Sequence, residues 1–225
     1  MMTVNEVHAE LEQIRNADLL KKGLYFTKLE ERANNGDNNA VYGLACCYDF
    51  GYYPRRDSRM AEKLYRQAAE GGCSAAMLNL ATSIYRGEFG GADTTQAFYW
   101  YQRAAEAGEG DGYFGMGKCY ETGLGIEQND AMAFRMFYKA ADMGCPGAMH
   151  NVGLAYLGGN FGIKIDLDKA FEYEKKAAEL GDRNAQFNLG LMFINGDGVR
   201  ADEDVGFYWL SCKTRRKFVR RDACL

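Results

Sequence analysis

The side chains able to do chemistry are few, and their spacing suits little of it. The two histidines, His8 and His150, lie in unrelated segments. An imidazole serves as base or ligand only with a carboxylate, nucleophile or metal beside it. His8 sits in a charged amino-terminal stretch, "VNEVHAELEQ", and reads as solvated; His150 can hydrogen-bond a ligand, although a lone histidine is more often structural. The chain contains no HExxH, paired CxxC, GxSxG or Walker loop. "GEGDGYFGMG" has the look of a GxGxxG fingerprint, but a dinucleotide site needs a strand before the glycines, and here helical patterns flank them. The spacing of reactive groups therefore points away from catalysis, and no metal or cofactor is expected.

Stepping from these groups to the segments that carry them exposes the dominant signal, which is repetition. "QAAEGGCSAAMLNLATSIYRG" begins at Gln67, "RAAEAGEGDGYFGMGKCYETG" at Arg103, "KAADMGCPGAMHNVGLAYLGG" at Lys139 and "KAAELGDRNAQFNLGLMFINGDGV" at Lys176. The glycines Gly36, Gly72, Gly108, Gly144 and Gly181 are spaced 36, 36, 36 and 37 residues apart. The small residues Ala40, Ala76, Gly112, Ala148 and Ala185 keep the same register, as do Asp57, Asp93, Asn129, Asp166 and Asp202. The added residue falls in the loop "GGNFGIKIDLDKA", where an insertion is tolerated. Periodicity of this kind marks a repeat architecture.

Each unit resolves into two helices. The first carries apolar residues at helical spacing, such as Tyr42, Leu44, Ala45 and Tyr48, and runs into Gly51, Gly87, Gly123, Gly159 or Gly196, which can take the positive φ of a helix end. The recurring Asp or Asn can cap the second helix. Ala61, Ala97, Ala133, Ala170 or Gly206 follows, then Leu64, Trp100, Met136, Tyr173 or Trp209, then an Ala-Ala pair. Small residues let helix axes approach and bulky ones fill the space beside them. A single hairpin cannot cover its own apolar face, whereas a stack can. Thr3 and Glu6 read as a capping box ahead of Val7, Leu11 and Ile14. The expected organisation is an amino-terminal helical cap over 1–36, five repeats over 37–214 and a basic tail over 215–225.

Composition fits this reading. The 225 residues are 47% hydrophobic and 26% charged, which supports a buried core. The net charge of -4 argues against a dedicated nucleic-acid binder. No apolar run is long enough to span a bilayer, and the amino end lacks the apolar core of a secretory signal, so a cytoplasmic location is expected. Of seven cysteines, four recur with the repeat: Cys47 is in register with Cys119, and Cys73 with Cys145. Residues two packed layers apart stand about 20 Å from each other, beyond disulfide reach, so free thiols are expected.

The pattern A-x-x-x-[LMV]-[AG]-x-x-[YF]-x-x-G, a loop, D-x-x-x-A, then A-A-E-x-G resembles the Sel1-like repeat, a relative of the tetratricopeptide repeat. It is clearest from Ala185 to Trp209, and Ile84, Ala45 and Ala81 depart from it. The resemblance implies an all-α, right-handed α/α superhelix of about five 36-residue hairpins plus terminal caps, acting as a non-catalytic scaffold or adaptor for other proteins. It also implies that the first helix of each pair lines a concave groove for a peptide or helix of a partner. The positions carried over are Tyr42, Cys46 and Asp49; Leu78, Thr82 and Tyr85; Phe114, Lys118 and Glu121; His150, Leu154 and Leu157; and Phe187, Leu191 and Ile194. The alternative is a weak hydrolase or penicillin-binding activity, linked with a cysteine-rich branch of the family whose paired cysteines are missing here. The tail "KTRRKFVRRDACL" complements a helix C-terminus, or contacts an acidic partner.

Overall fold

The computed structural model describes residues 1–53, 55–89 and 93–212, and every structural statement below concerns these. Among them the chain forms twelve α-helices and no strand. Two compact units divide it. The first, Met1–Ala107, holds α1 (Val4–Arg15), α2 (Leu19–Asn34), α3 (Asn38–Phe50), α4 (Ser58–Glu70), α5 (Ser74–Tyr85) and α6 (Thr94–Glu106). The second, from Gly108 on, holds α7 (Gly110–Thr122), α8 (Asp130–Asp142), α9 (Pro146–Gly158), α10 (Leu167–Glu179), α11 (Arg183–Asn195) and α12 (Glu203–Cys212). Within each unit every helix packs on the next in sequence, and α1 also packs on α3. The all-α architecture of consecutive hairpins is the one expected. The tail over 215–225 lies outside the described residues.

The periodic residues have local reasons. Asp57, Asn129 and Asp166 each adopt extended backbone at a helix start and accept one or two N–H groups of the next turn, and Asp93 and Asp202 also accept such bonds. The backbone N–H of the capping residue then closes the loop behind it. Asp57 donates to the Tyr48 carbonyl, Asn129 to Tyr120, Asp166 to Tyr156 and Asp202 to Phe193, at 2.8 to 3.0 Å. The loop between Tyr156 and Asp166 carries the extra residue yet keeps the clasp. The addition is taken up in a 3₁₀ turn, Asn160–Gly162, where Phe161 adopts φ +56° and its ring packs against Phe134 and Phe137.

The second helix of each hairpin ends at the glycine series. Gly36, Gly72, Gly108, Gly144 and Gly181 have φ between +82° and +95°. The residue after the glycine bonds back five residues, as in Cys73 to Ala68 and Cys145 to Ala140, which is the Schellman closure. At the first-helix ends, Gly51, Gly123, Gly159 and Gly196 are left-handed caps. The second hairpin differs: α5 stops at Tyr85 with Arg86 in right-handed conformation, and Gly87 takes the positive φ one residue later.

Alanines seat the second helices. Ala61, Ala97, Ala133 and Ala170, with the Ala-Ala pairs that follow, are all buried, so α4, α6, α8 and α10 approach their partners closely. Cys46, Cys47, Cys73, Cys119 and Cys145 are buried thiols outside any disulfide, as expected. Burial pushes the thiols of Cys46, Cys47 and Cys119 up to about 12.

Candidate partner-binding face

The first helices carry the candidate residues. In the amino-terminal unit these belong to α3 and α5. Tyr42 is only 3% exposed: its ring lies 6.1 Å from that of Tyr65, and its hydroxyl meets His8 Nε2 at 2.7 Å and Asn79 Nδ2 at 3.3 Å. His8 is therefore part of an internal polar relay, not the solvated group that the charges around it suggested. α1 brings it there by packing on α3. The relay continues from Asn79 Nδ2 to the Tyr65 hydroxyl, which donates to Asp49 Oδ2 at 3.2 Å. Burial raises the Asp49 pKa, and the Tyr65 bond opposes that rise. Thr82 is buried too, bonded to the Leu78 carbonyl and the Tyr101 hydroxyl. Leu78 and Tyr85 are half-buried.

In the carboxyl-terminal unit the face belongs to α7, α9 and α11. Phe114 is 6% exposed; its ring is tilted against that of Phe137 at 5.8 Å, and its tip lies 3.3 Å from where a Cβ at Gly147 on α9 would sit. It is a core residue. Lys118 is half-buried, with its ammonium 2.8 Å from Glu121 and over the Phe137 and Phe114 rings at 5.5 and 6.0 Å. Leu154, Leu157 and Ile194 are half-buried, while Phe187 and Leu191 are each 38% exposed. The structure thus divides the ladder. Tyr42, Cys46 and Thr82 are buried in the first unit and Phe114 in the second, whereas Leu78 and Tyr85 in the first and Lys118, Glu121, Leu154 and Leu191 in the second remain partly or fully exposed.

His150 has a partner that sequence reasoning missed. Glu174 on α10 is completely buried and accepts from His150 Nδ1 at 3.0 and 3.1 Å through its two oxygens. Its Oε1 also accepts from Asn188 Nδ2 on α11 at 3.1 Å. Burial alone lowers the His150 pKa. The Glu174 hydrogen bond and charge, helped by Asp182 and opposed by Lys118, outweigh it and leave the pKa above the ordinary 6.5. The signal was present in the sequence: one step beyond Leu64, Trp100, Met136, Tyr173 and Trp209 runs the series Tyr65, Tyr101, Phe137, Glu174 and Leu210, in which a single member ionises readily.

No group of three or more His, Cys, Asp or Glu side chains among the described residues is placed to hold a metal ion. No described helix is long and apolar enough to cross a membrane.

Paired helices repeated in register, with small residues at the crossings and a shared first-helix face, define a helical-repeat protein of the α-solenoid class. The Sel1 repeat model matches residues 38–73, 74–109, 110–145, 146–182 and 183–212, and the chain belongs to the Sel1 repeat family, whose members act in the main as protein-interaction scaffolds. A Sel1 repeat protein from Oxalobacter formigenes is similar in structure, with a TM-score of 0.82 and 26% identity, over 96% of this chain and 85% of that one. The protective antigen c5321 of uropathogenic Escherichia coli shares the fold, with a TM-score of 0.74 and 24% identity, over 95% of this chain and 49% of that one. Chitin synthase regulatory factor 2 of Schizosaccharomyces pombe is 29% identical over 152 residues, which is 66% of this chain. The aligned stretch spans only 23% of that protein's length.

Proposed function

We propose that the protein is a non-catalytic scaffold that holds a peptide or helix of a partner protein on the first-helix faces of its hairpins. One observation carries this reading. At the second and third ladder positions, large side chains stay partly or fully accessible in successive hairpins: Tyr85 in one unit, and Lys118, Glu121, Leu154 and Leu191 in the other. Repeated half-exposed anchors suit the helix-in-groove and extended-peptide modes of recognition. Membership in a scaffold family supports binding over turnover, and so does the regulatory name of the Schizosaccharomyces pombe relative.

The test changes only accessible ladder residues. Leu154→Asp with Leu191→Asp is expected to abolish retention of proteins from native lysate by the immobilised chain, while circular dichroism and melting temperature stay near wild type. Retention that survives in the folded variant overturns the reading. Loss of retention together with loss of fold reassigns both leucines to the core.

A further inference from the structure

The fourth hairpin departs from the others at two facing positions at once. The first hairpin pairs Tyr42 with Tyr65 and the third pairs Phe114 with Phe137. The corresponding residues of the fourth are His150 and Glu174. Gly153 makes room for the exchange, since a Cβ there would lie 3.0 Å from Glu174 Cγ, as one at Gly117 would run into Phe137. Asn188 closes the carboxylate from α11. Its counterpart one hairpin earlier, Asn151, faces no such acceptor, and its Nδ2 is buried without a partner. A carboxylate sealed from water costs several kcal/mol unless it is paired, and an aromatic pair would fill the same space without that cost.

The arrangement leaves one polar edge over. Glu174, itself held by Asn188, engages only the Nδ1 side of the imidazole, so Nε2 points away from the carboxylate. The His150 side chain keeps 12% of its surface exposed, on the face that also carries Leu154 and Leu191. The charges acting on the ring are Glu174 of α10, Asp182 in the turn before α11, and Lys118 of α7. The two carboxylates favour the protonated ring, and Lys118, whose ammonium is paired with Glu121 at 2.8 Å, opposes them.

We propose that His150, backed by Glu174 and Asn188, is a proton-gated anchor that donates its Nε2–H to the carboxylate of an acidic side chain in the partner segment. This deepens the scaffold reading and rests on it. The occupant is an amphipathic peptide whose apolar side covers Leu154, Leu191 and Phe187 and whose acidic residue meets His150 beside Lys118. When the ring loses its charge, Nε2 becomes an acceptor and repels the same carboxylate.

The probes are two short fluorescein-labelled amphipathic peptides with one leucine face, identical except for a central Glu or Gln, read by fluorescence anisotropy. At about pH 5.5, below an ordinary imidazole transition, the wild-type chain should bind the Glu peptide about tenfold more tightly, the range of a charge-assisted hydrogen bond. At about pH 8.5 the preference for Glu should be lost or turn toward Gln. The double variant His150→Phe with Glu174→Phe copies the Phe114–Phe137 pair and should bind both peptides equally at either pH. Glu174→Gln, which keeps the shape, should move the loss of preference to lower pH. Equal binding of both peptides by wild type at the lower pH overturns the anchor and leaves the scaffold reading standing. A preference that persists in the double variant also overturns it. Binding of neither peptide removes the scaffold reading and the anchor together.

Discussion

The histidine–glutamate pair gives the fold one pH-dependent contribution near neutrality. The His150 pKa is raised in the folded state, so its contribution to stability is fully present below the unfolded value of 6.5 and is lost as pH rises through the folded one. Urea midpoints should therefore fall between mildly acidic and mildly basic buffer, and the step should vanish in His150→Phe/Glu174→Phe. With only two histidines in the chain, imidazole NMR can assign the titration directly: the transition raised above the ordinary imidazole value should disappear in a His150 variant. Removing His150 alone leaves a buried carboxylate without its cation. We predict a loss of about 3–5 kcal/mol for His150→Ala, by denaturant titration, most of it recovered in the double variant. Phe114→Ala belongs with these core substitutions and should cost about 3–5 kcal/mol.

At the level of the helix and its turn, two glycine positions separate backbone from packing effects. Gly181 has φ +93° and open space where a Cβ would go, so Gly181→Ala meets only the left-handed penalty, about 1–2 kcal/mol. Gly117 is helical, and a Cβ there would meet the Phe137 ring at 2.5 Å. Gly117→Ala should disturb the Phe114–Phe137 contact and lower the melting point further than Gly181→Ala does; the reverse order would contradict the packing described. Asn129→Ala removes the oxygen that accepts the Met132 N–H at 2.9 Å and should cost about 1 kcal/mol. These elements were legible beforehand because caps and positive-φ turns are written in single residues at fixed spacing. Glu174 was not. A helical carboxylate reads as solvent-facing by default, and only its alignment with Tyr65, Tyr101 and Phe137 shows that the position faces inward. The relay from His8 to Asp49 was hidden for a related reason, since it joins α1, α3, α4 and α5 through contacts that no local pattern encodes. The groove positions divided according to how deep each ring sits between neighbouring hairpins, which spacing alone does not specify.

Across the molecule, stability in such a chain is a sum of hairpins and their nearest-neighbour contacts. Among the described residues α12 packs chiefly on α11, and α1 and α2 pack on each other less extensively than the helices of a repeat hairpin do. Phe207 and Tyr208 of α12 are about 60% exposed, and Leu19, Leu20 and Leu24 of α2 are more so. Hydrogen exchange should accordingly be fastest in α1, α2 and α12 and slowest in α4, α5, α8 and α9; uniform protection along the chain would contradict a nearest-neighbour model. The repeat unit itself was fully readable from sequence, because each hairpin spells out the same small, capping and bulky positions. What a partner would find on it was not, because that depends on which of those positions remain reachable once the neighbours have closed over them.

The covered thiols supply a reporter of these motions. Cys46 and Cys47 lie in one compact unit and Cys119 in the other, each protonated and shielded in the closed state. A disulfide reagent can reach them only when a hairpin opens, so reaction progress followed by peptide mass becomes a clock for opening. Slower labelling on addition of a ligand would show which half of the chain that ligand holds shut.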